Sequence, residues 1–252
     1  METNFCRQIT KEYSELTGIP EKFHGEIERI LSLSSKAVKF QLPINGKLYD
    51  NLEFKALEDL PEIRLPFPVI ALEFFLNEDP PAPDKAVVLA REDGNRIAVT
   101  PVVYYKKSNA WGCSPEILIP RVGSLDRLDG EVGINFEMTD ESQDFANYNH
   151  SLLVLMQFLD ILSCSNVHIE QSRAKPPMKK KGALPFDIYH VLIIGDQKTG
   201  SGSSTTDHRS PREHIRRGHI RRYSDGKKIW INAMVVAKGS PGKVTKDYRL
   251  KI

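Results

Sequence analysis

The chain has 252 residues, 40% hydrophobic and 27% charged, with a formal net charge of +2. That balance fits a globular protein with a real core, as one large domain or two modest ones, and excludes a wholly disordered chain. The longest apolar run, Leu152 to Met156, is far short of the roughly 20 residues a membrane-spanning helix needs, so no membrane partner is expected. The first residues, METNFCRQITKEY, lack the basic start and apolar stretch of a signal peptide, so cytoplasmic residence is expected. Three widely spaced cysteines (Cys6, Cys113, Cys164) with no CxxC pair argue against a disulfide framework or a cysteine-rich zinc site. Cys164 is the best candidate for burial.

Phe5, Ile9, Tyr13 and Leu16 recur on one helical face, and Gly18 and Pro20 supply a stop. Pro20 suits the start of a second helix carrying Phe23, Ile27 and Ile30. AVKFQLPI and KLYDNLEF flank Asn45-Gly46, a strong hairpin signal because both turn residues tolerate positive φ. Val69–Phe75 reads as a strand, with Glu73 on a solvated alternate face. KAVVLARE and RIAVTPVVYY form a second hairpin around Asp93-Gly94, and Gly130–Met138 is a further strand candidate. Asp140 opens a helix, with Gln143 placed for a capping box. Its apolar positions Phe145, Tyr148, Leu152, Leu155, Leu159 and Leu162 mark a central core helix.

The composition changes after Cys164. AKPPMKKKGALP reads as a linker, Phe186–Ile194 as a strand, and Gly195–Ser210 as a mobile polar segment. Strands follow over Glu213–Tyr223, Ile229–Ala237 and Val244–Ile252. Strand runs between helices give an α+β fold. The expected division is an acidic portion, 1–165, and a basic, β-rich portion, 166–252, in two domains or one continuous body. From His168 onward there are 19 Lys and Arg against 7 Asp and Glu, which leaves 16 against 26 of the chain's 35 and 33 for residues 1–167. Five of seven histidines also lie in the basic part. Such polarity suits a polyanionic partner; the plainer alternative is that acidic and basic parts face each other.

The densest chemistry is SPREHIRRGHIRRY, Ser210 to Tyr223, in which His-Ile-Arg-Arg is written twice around Gly218. Residues five apart diverge on a helix and oppose each other on a plain strand. One β-bulge at Gly218 brings the two units into phase, so that His214, Arg216, His219 and Arg221 line one surface. The Asp225-Gly226 turn is read as a two-residue type I′ hairpin, which places Arg221 opposite Trp230 and His219 opposite Asn232. Trp230 is then either a cation–π and base-stacking platform or a core aromatic of the hairpin.

This C-terminal pattern (Ser210-Pro211, His214 to Arg222, Trp230, then Lys246-Asp247-Tyr248) resembles a group of uncharacterised bacteriophage and prophage proteins over roughly the last third of the chain. The resemblance implies a phage or mobile-element origin and carries over no activity.

Three functions follow from the ribbon. The first is binding of a nucleic-acid phosphate backbone, RNA or DNA, by Arg212, Arg216, Arg217, Arg221, Arg222, Lys227 and Lys228, with Tyr223 and Trp230 beside them, and with Lys179–Lys181 and the stretch 197–209 closing on the ligand. It asks least of the geometry. The second is a metal-independent ribonuclease, with His214 and His219 as base and acid, Arg216 and Arg221 as phosphate clamps, and Tyr223 or Ser210 as accessory donors. Neighbouring cations would lower the imidazole pKa values, favouring a base over an acid. The third is an inhibitor of a host protein. A zinc site at His208, His214 and His219 lacks a recognised spacing and a fourth ligand, so no metal or other cofactor is expected.

Overall fold

In the computed structural model of the chain, the described residues are 3–49, 63–77, 83–121, 141–171, 189–194, 214–216, 219–231 and 234–236. The fold is α+β. Contacts divide the chain into two compact units, one of residues 1–160 and 169–193, the other of 161–168 and 194–252.

In the first unit, α1 (Phe5–Glu15) and α2 (His24–Lys36) precede β1 (Val38–Gln41), β2 (Val69–Phe75), β3 (Lys85–Asp93), β4 (Arg96–Tyr105), β5 (Ala110–Cys113) and β6 (Ile117–Pro120). The long helix α3 (Glu141–Leu162), β7 (Val167–Gln171) and β8 (Tyr189–Ile194) follow. The strands form one sheet in the order β5-β4-β3-β2-β1-β8-β7, with β6 beside β5 on the outer edge of β4. Pairing is antiparallel from β2 to β6, but β1 runs parallel to both β2 and β8.

Both faces of this sheet are covered. Phe5, Ile9 and Tyr13 of α1 and Ile30 and Leu33 of α2 pack with Ala71, Val87, Leu89, Val102 and Trp111. On the opposite face Phe40 meets Phe158 of α3, ring centroids 4.7 Å apart, and Phe74 stacks on His150 at 5.6 Å. A strand covered on both sides reads as a continuous apolar run, which is why VIALEFF and AVVLA lack alternation. α3 shows the same logic: every residue from Val154 to Asp160 is buried.

Four local expectations are corrected. Leu16 lies beyond the end of α1 and is exposed, and Phe23 sits in a 3-10 turn ahead of α2 and is exposed as well. The hairpin around Asn45-Gly46 does not form. Both edges of β1 are occupied, by β2 and β8, and residues 47–49 after Gly46 are not in a strand. Instead Leu48 N–H donates to Gln157 Oε1, and Gln157 Nε2 donates to the carbonyl of Tyr49. Glu73, expected on a solvated face, is fully buried at 0% exposure. Its Oε2 accepts from Phe5 N–H (2.9 Å) and the Tyr189 hydroxyl (2.8 Å), and its Oε1 from Cys6 N–H (2.9 Å). A carboxylate from β2 therefore satisfies the first amides of α1, where helix polarity favours negative charge.

The second hairpin forms as expected, with Asp93 paired to Arg96. The strand candidate Gly130–Met138, the cap at Asp140, the lysine-rich linker, the polar segment 195–210 and the strand Val244–Ile252 lie outside the described residues. None of the three cysteines is in a disulfide: Cys6 and Cys164 are buried and Cys113 is half-buried.

Cys113 belongs to a closed cluster with Tyr13 and Glu26. Burial, then the Glu26 carboxylate, push its thiol from 9.0 up to about 11, while burial and Cys113 itself raise the Tyr13 phenol. A thiol this reluctant to ionise is a poor nucleophile. The unfolded chain releases the Cys113 proton first, so stability is complete below about pH 9 and declines as pH rises towards about 11. Urea midpoints at pH 8 and pH 10 should therefore differ by less in Cys113→Ala than in the parent protein, by about 1 kcal/mol. An equal pH response in both would show that Cys113 contributes nothing to it.

Candidate nucleic-acid interface

The second unit carries the two ladders of the basic segment. β9 (His214–Arg216) pairs antiparallel with β12 (Met234–Val236), and β10 (His219–Arg222) with β11 (Lys228–Ile231). A short segment after α3 buttresses the second ladder. Ser165 N–H donates to the Lys228 carbonyl at 2.9 Å. Asn166 brackets Trp230, accepting from its N–H at 2.8 Å and donating to its carbonyl at 2.9 Å. One amide side chain thus completes the second edge of β11 as a backbone strand would, leaving fewer unpaired edge groups. Nothing in the local sequence SCSNVH marks Asn166 for this role; only the fold brings it to β11.

The turn differs from the expected type I′. Arg222 pairs with Lys228, Tyr223 N–H donates to the Lys227 carbonyl, and Gly226 N–H donates to the Tyr223 carbonyl. Residues 224–226 therefore form a three-residue loop, a type I turn closed by Gly226 at φ 83°. Type I′ needs positive φ at two central residues, whereas Asp225 has a negative φ and its carboxylate accepts from Lys227 N–H at 3.0 Å. That bond holds Asp225 in the type I geometry.

The extra loop residue shifts the whole register by one position. Ile220, not Arg221, lies opposite Trp230; Arg221 faces Ile229, and His219 faces Ile231 rather than Asn232. Trp230, at 7% exposure, is a core aromatic and offers no open stacking face. The cation–π contact is made elsewhere: the Arg221 guanidinium lies 5.1 Å from the centre of the Tyr223 ring.

His214 lies on β9 and His219 on β10, in separate ladders, with Arg216 opposite Met234 and His219 opposite Ile231. Residues 217 and 218, where the bulge is expected, lie outside the described residues.

Of the expected phosphate ligands, Arg221, Arg222 and Lys227 are exposed and Lys228 is half-buried around the turn. Arg222 and Lys228 are cross-strand partners on one rung of the ladder. Arg216 is placed on β9, while Arg212, Arg217, His208, Ser210 and Lys179–Lys181 lie outside the described residues. Among the described residues, no group of three or more His, Cys, Asp or Glu is placed to hold a metal ion, and no helix is long and apolar enough to cross a membrane.

The first unit's cations are differently engaged. Arg29 and Arg91 both bind Glu116, and Arg29 also reaches Glu26 and Thr100. The Lys85 ammonium sits 4.0 Å from the centre of the Tyr104 ring and bonds Gln8, and burial lowers its pKa against the pull of Asp84 and Glu12. These groups tie helices to sheet. No family model, no curated protein and no solved structure matches the chain.

Proposed function

We propose that this chain is a nucleic-acid-binding protein of phage or mobile-element origin that grips the phosphate backbone with the β10–β11 hairpin in the host cytoplasm. The observation that carries this reading is the gathering of Arg221, Arg222, Lys227 and Lys228 around one turn, with Arg222 and Lys228 cross-strand partners. Asp225, the one acidic residue between His219 and Ile231, has its carboxylate bonded to the turn's backbone. Arginine forks match phosphate oxygens bidentately, and a ribbon tip can enter a groove or lie along a strand. The basic excess of the last third supplies long-range attraction, and the resemblance to phage proteins supports the origin.

Binding of this kind weakens with salt in proportion to the phosphates neutralised. Replacing two exposed cations, Arg221→Gln with Lys227→Gln, should flatten the slope of log affinity against log salt by about 1.4 to 1.8. Titrating labelled nucleic acid with each protein across a salt series measures it. An unchanged slope would place the contact somewhere other than this hairpin.

A further inference from the structure

We propose that the ligand of this hairpin is an unpaired nucleic-acid strand, whose bases stack on the Arg221–Tyr223 face; the inference rests on the phosphate-binding reading above. Arg221 and Tyr223, two residues apart, lie on the same face of the ribbon, and His219 precedes them on it by strand alternation. Tyr223 is 39% exposed, whereas Trp230 is spent on the hairpin's interior. The guanidinium lies over the tyrosine ring. A guanidinium 5.1 Å from the ring centre still carries five N–H donors, so Arg221 can offer some of them to a phosphate beside the ring. One residue pair therefore offers both a π surface and a phosphate donor.

Those two features discriminate between ligand forms. Duplex bases present only their edges in the grooves, so an exposed ring beside a guanidinium has no base face to meet. Unpaired bases present whole faces, and any base can use them, which gives affinity without sequence choice. Spacing points the same way. Same-face positions on a strand repeat at roughly 7 Å, about twice the 3.4 Å rise per nucleotide of a duplex strand. A flexible, unstacked strand can match that repeat; a stacked duplex strand cannot do so base by base.

The test compares a labelled, non-self-complementary oligoribonucleotide with the same oligonucleotide annealed to its complement, using the full chain and fluorescence anisotropy. The single strand should bind at least about tenfold more tightly. Tyr223→Ala should weaken single-strand binding about tenfold while leaving the salt slope intact, because no charge is removed. Tyr223→Phe should bind like the parent. A 2-aminopurine base in the oligonucleotide should be quenched on binding by the parent and by Tyr223→Phe, and not by Tyr223→Ala. Equal or tighter duplex binding, or a Tyr223→Ala protein with unaltered affinity and quenching, would overturn the inference while salt-dependent phosphate binding stands. Failure of the parent protein to bind either form at low salt would overturn both readings.

Discussion

Replacing Glu73 with alanine should cost the first unit about 4 kcal/mol. The carboxylate accepts from Phe5 N–H, Cys6 N–H and the Tyr189 hydroxyl, which itself accepts from Thr3 Oγ1 at 2.9 Å. Alanine removes the acceptor that these donors share, at about 1–3 kcal/mol for each buried group left unsatisfied. It also removes negative charge from the positive end of α1, and it opens a gap beneath a helix that otherwise packs tightly on the sheet. Glu73→Gln keeps the volume but turns one acceptor into a donor facing a donor, and should cost about half as much. Tyr189→Phe removes a single donor and should cost least, about 1 kcal/mol. Because the chain has two compact units, one bulk transition can mix them. Hydrogen exchange at the Phe5 and Cys6 amides reads the event locally, and it should accelerate in the same order. A Glu73→Ala protein with parental exchange at both amides would show that Glu73 does not hold the helix start.

That carboxylate has a topological consequence. Glu73 lies in register with Gln41 of β1 and Val87 of β3, and its partners come from the chain start and from β8. A single buried side chain thus joins the chain's first turn, the centre of the sheet and a strand more than 100 residues later. Few apolar contacts specify position so narrowly, because a buried acceptor tolerates no slip in register.

Much of the first unit was legible as sequence. Helical spacing located α1, α2 and α3, and apolar runs located β2, β3 and β4, because those elements are set by their own residues. What failed depended on partners distant in the chain. Asn45-Gly46 does supply positive φ at both residues, at 62° and 63°, but whether such a turn closes a hairpin depends on a free neighbouring edge, and β1 has none. Glu73 among apolar neighbours reads as solvated because nothing nearby in the chain reveals that a helix start covers it. In the second unit the cations were legible and their geometry was not. Asp-Gly admits both a type I′ turn and a three-residue loop, and the bond from Lys227 N–H to Asp225 decides between them. That single choice moved Arg221 from Trp230 to Tyr223 as its aromatic partner. Asn166 had no local signal at all.

Gly46 gives the second large effect, and it separates two kinds of cost. Its φ is +63°, and a Cβ built there would lie 2.6 Å from Val154 Cγ2, 2.9 Å from Cγ1 and 3.3 Å from Phe74 Cδ1. Val154 is buried on α3, and its branched side chain has one strongly preferred helical rotamer, so it has little room to swing away. Gly46→Ala should therefore lose about 3 kcal/mol: about 1 from the left-handed backbone and about 2 from overpacking. Gly94 is the control, since its φ is +60° and nothing lies within 4 Å of a built Cβ. Gly94→Ala should show the backbone cost alone. Val154→Ala should then rescue the packing part of Gly46→Ala but not the backbone part, giving a coupling of about 1–2 kcal/mol in a double-mutant cycle. Denaturant midpoints at constant slope measure all four proteins. If Gly46→Ala costs no more than Gly94→Ala, the turn does not press against α3, and Gly46 serves only the backbone angle.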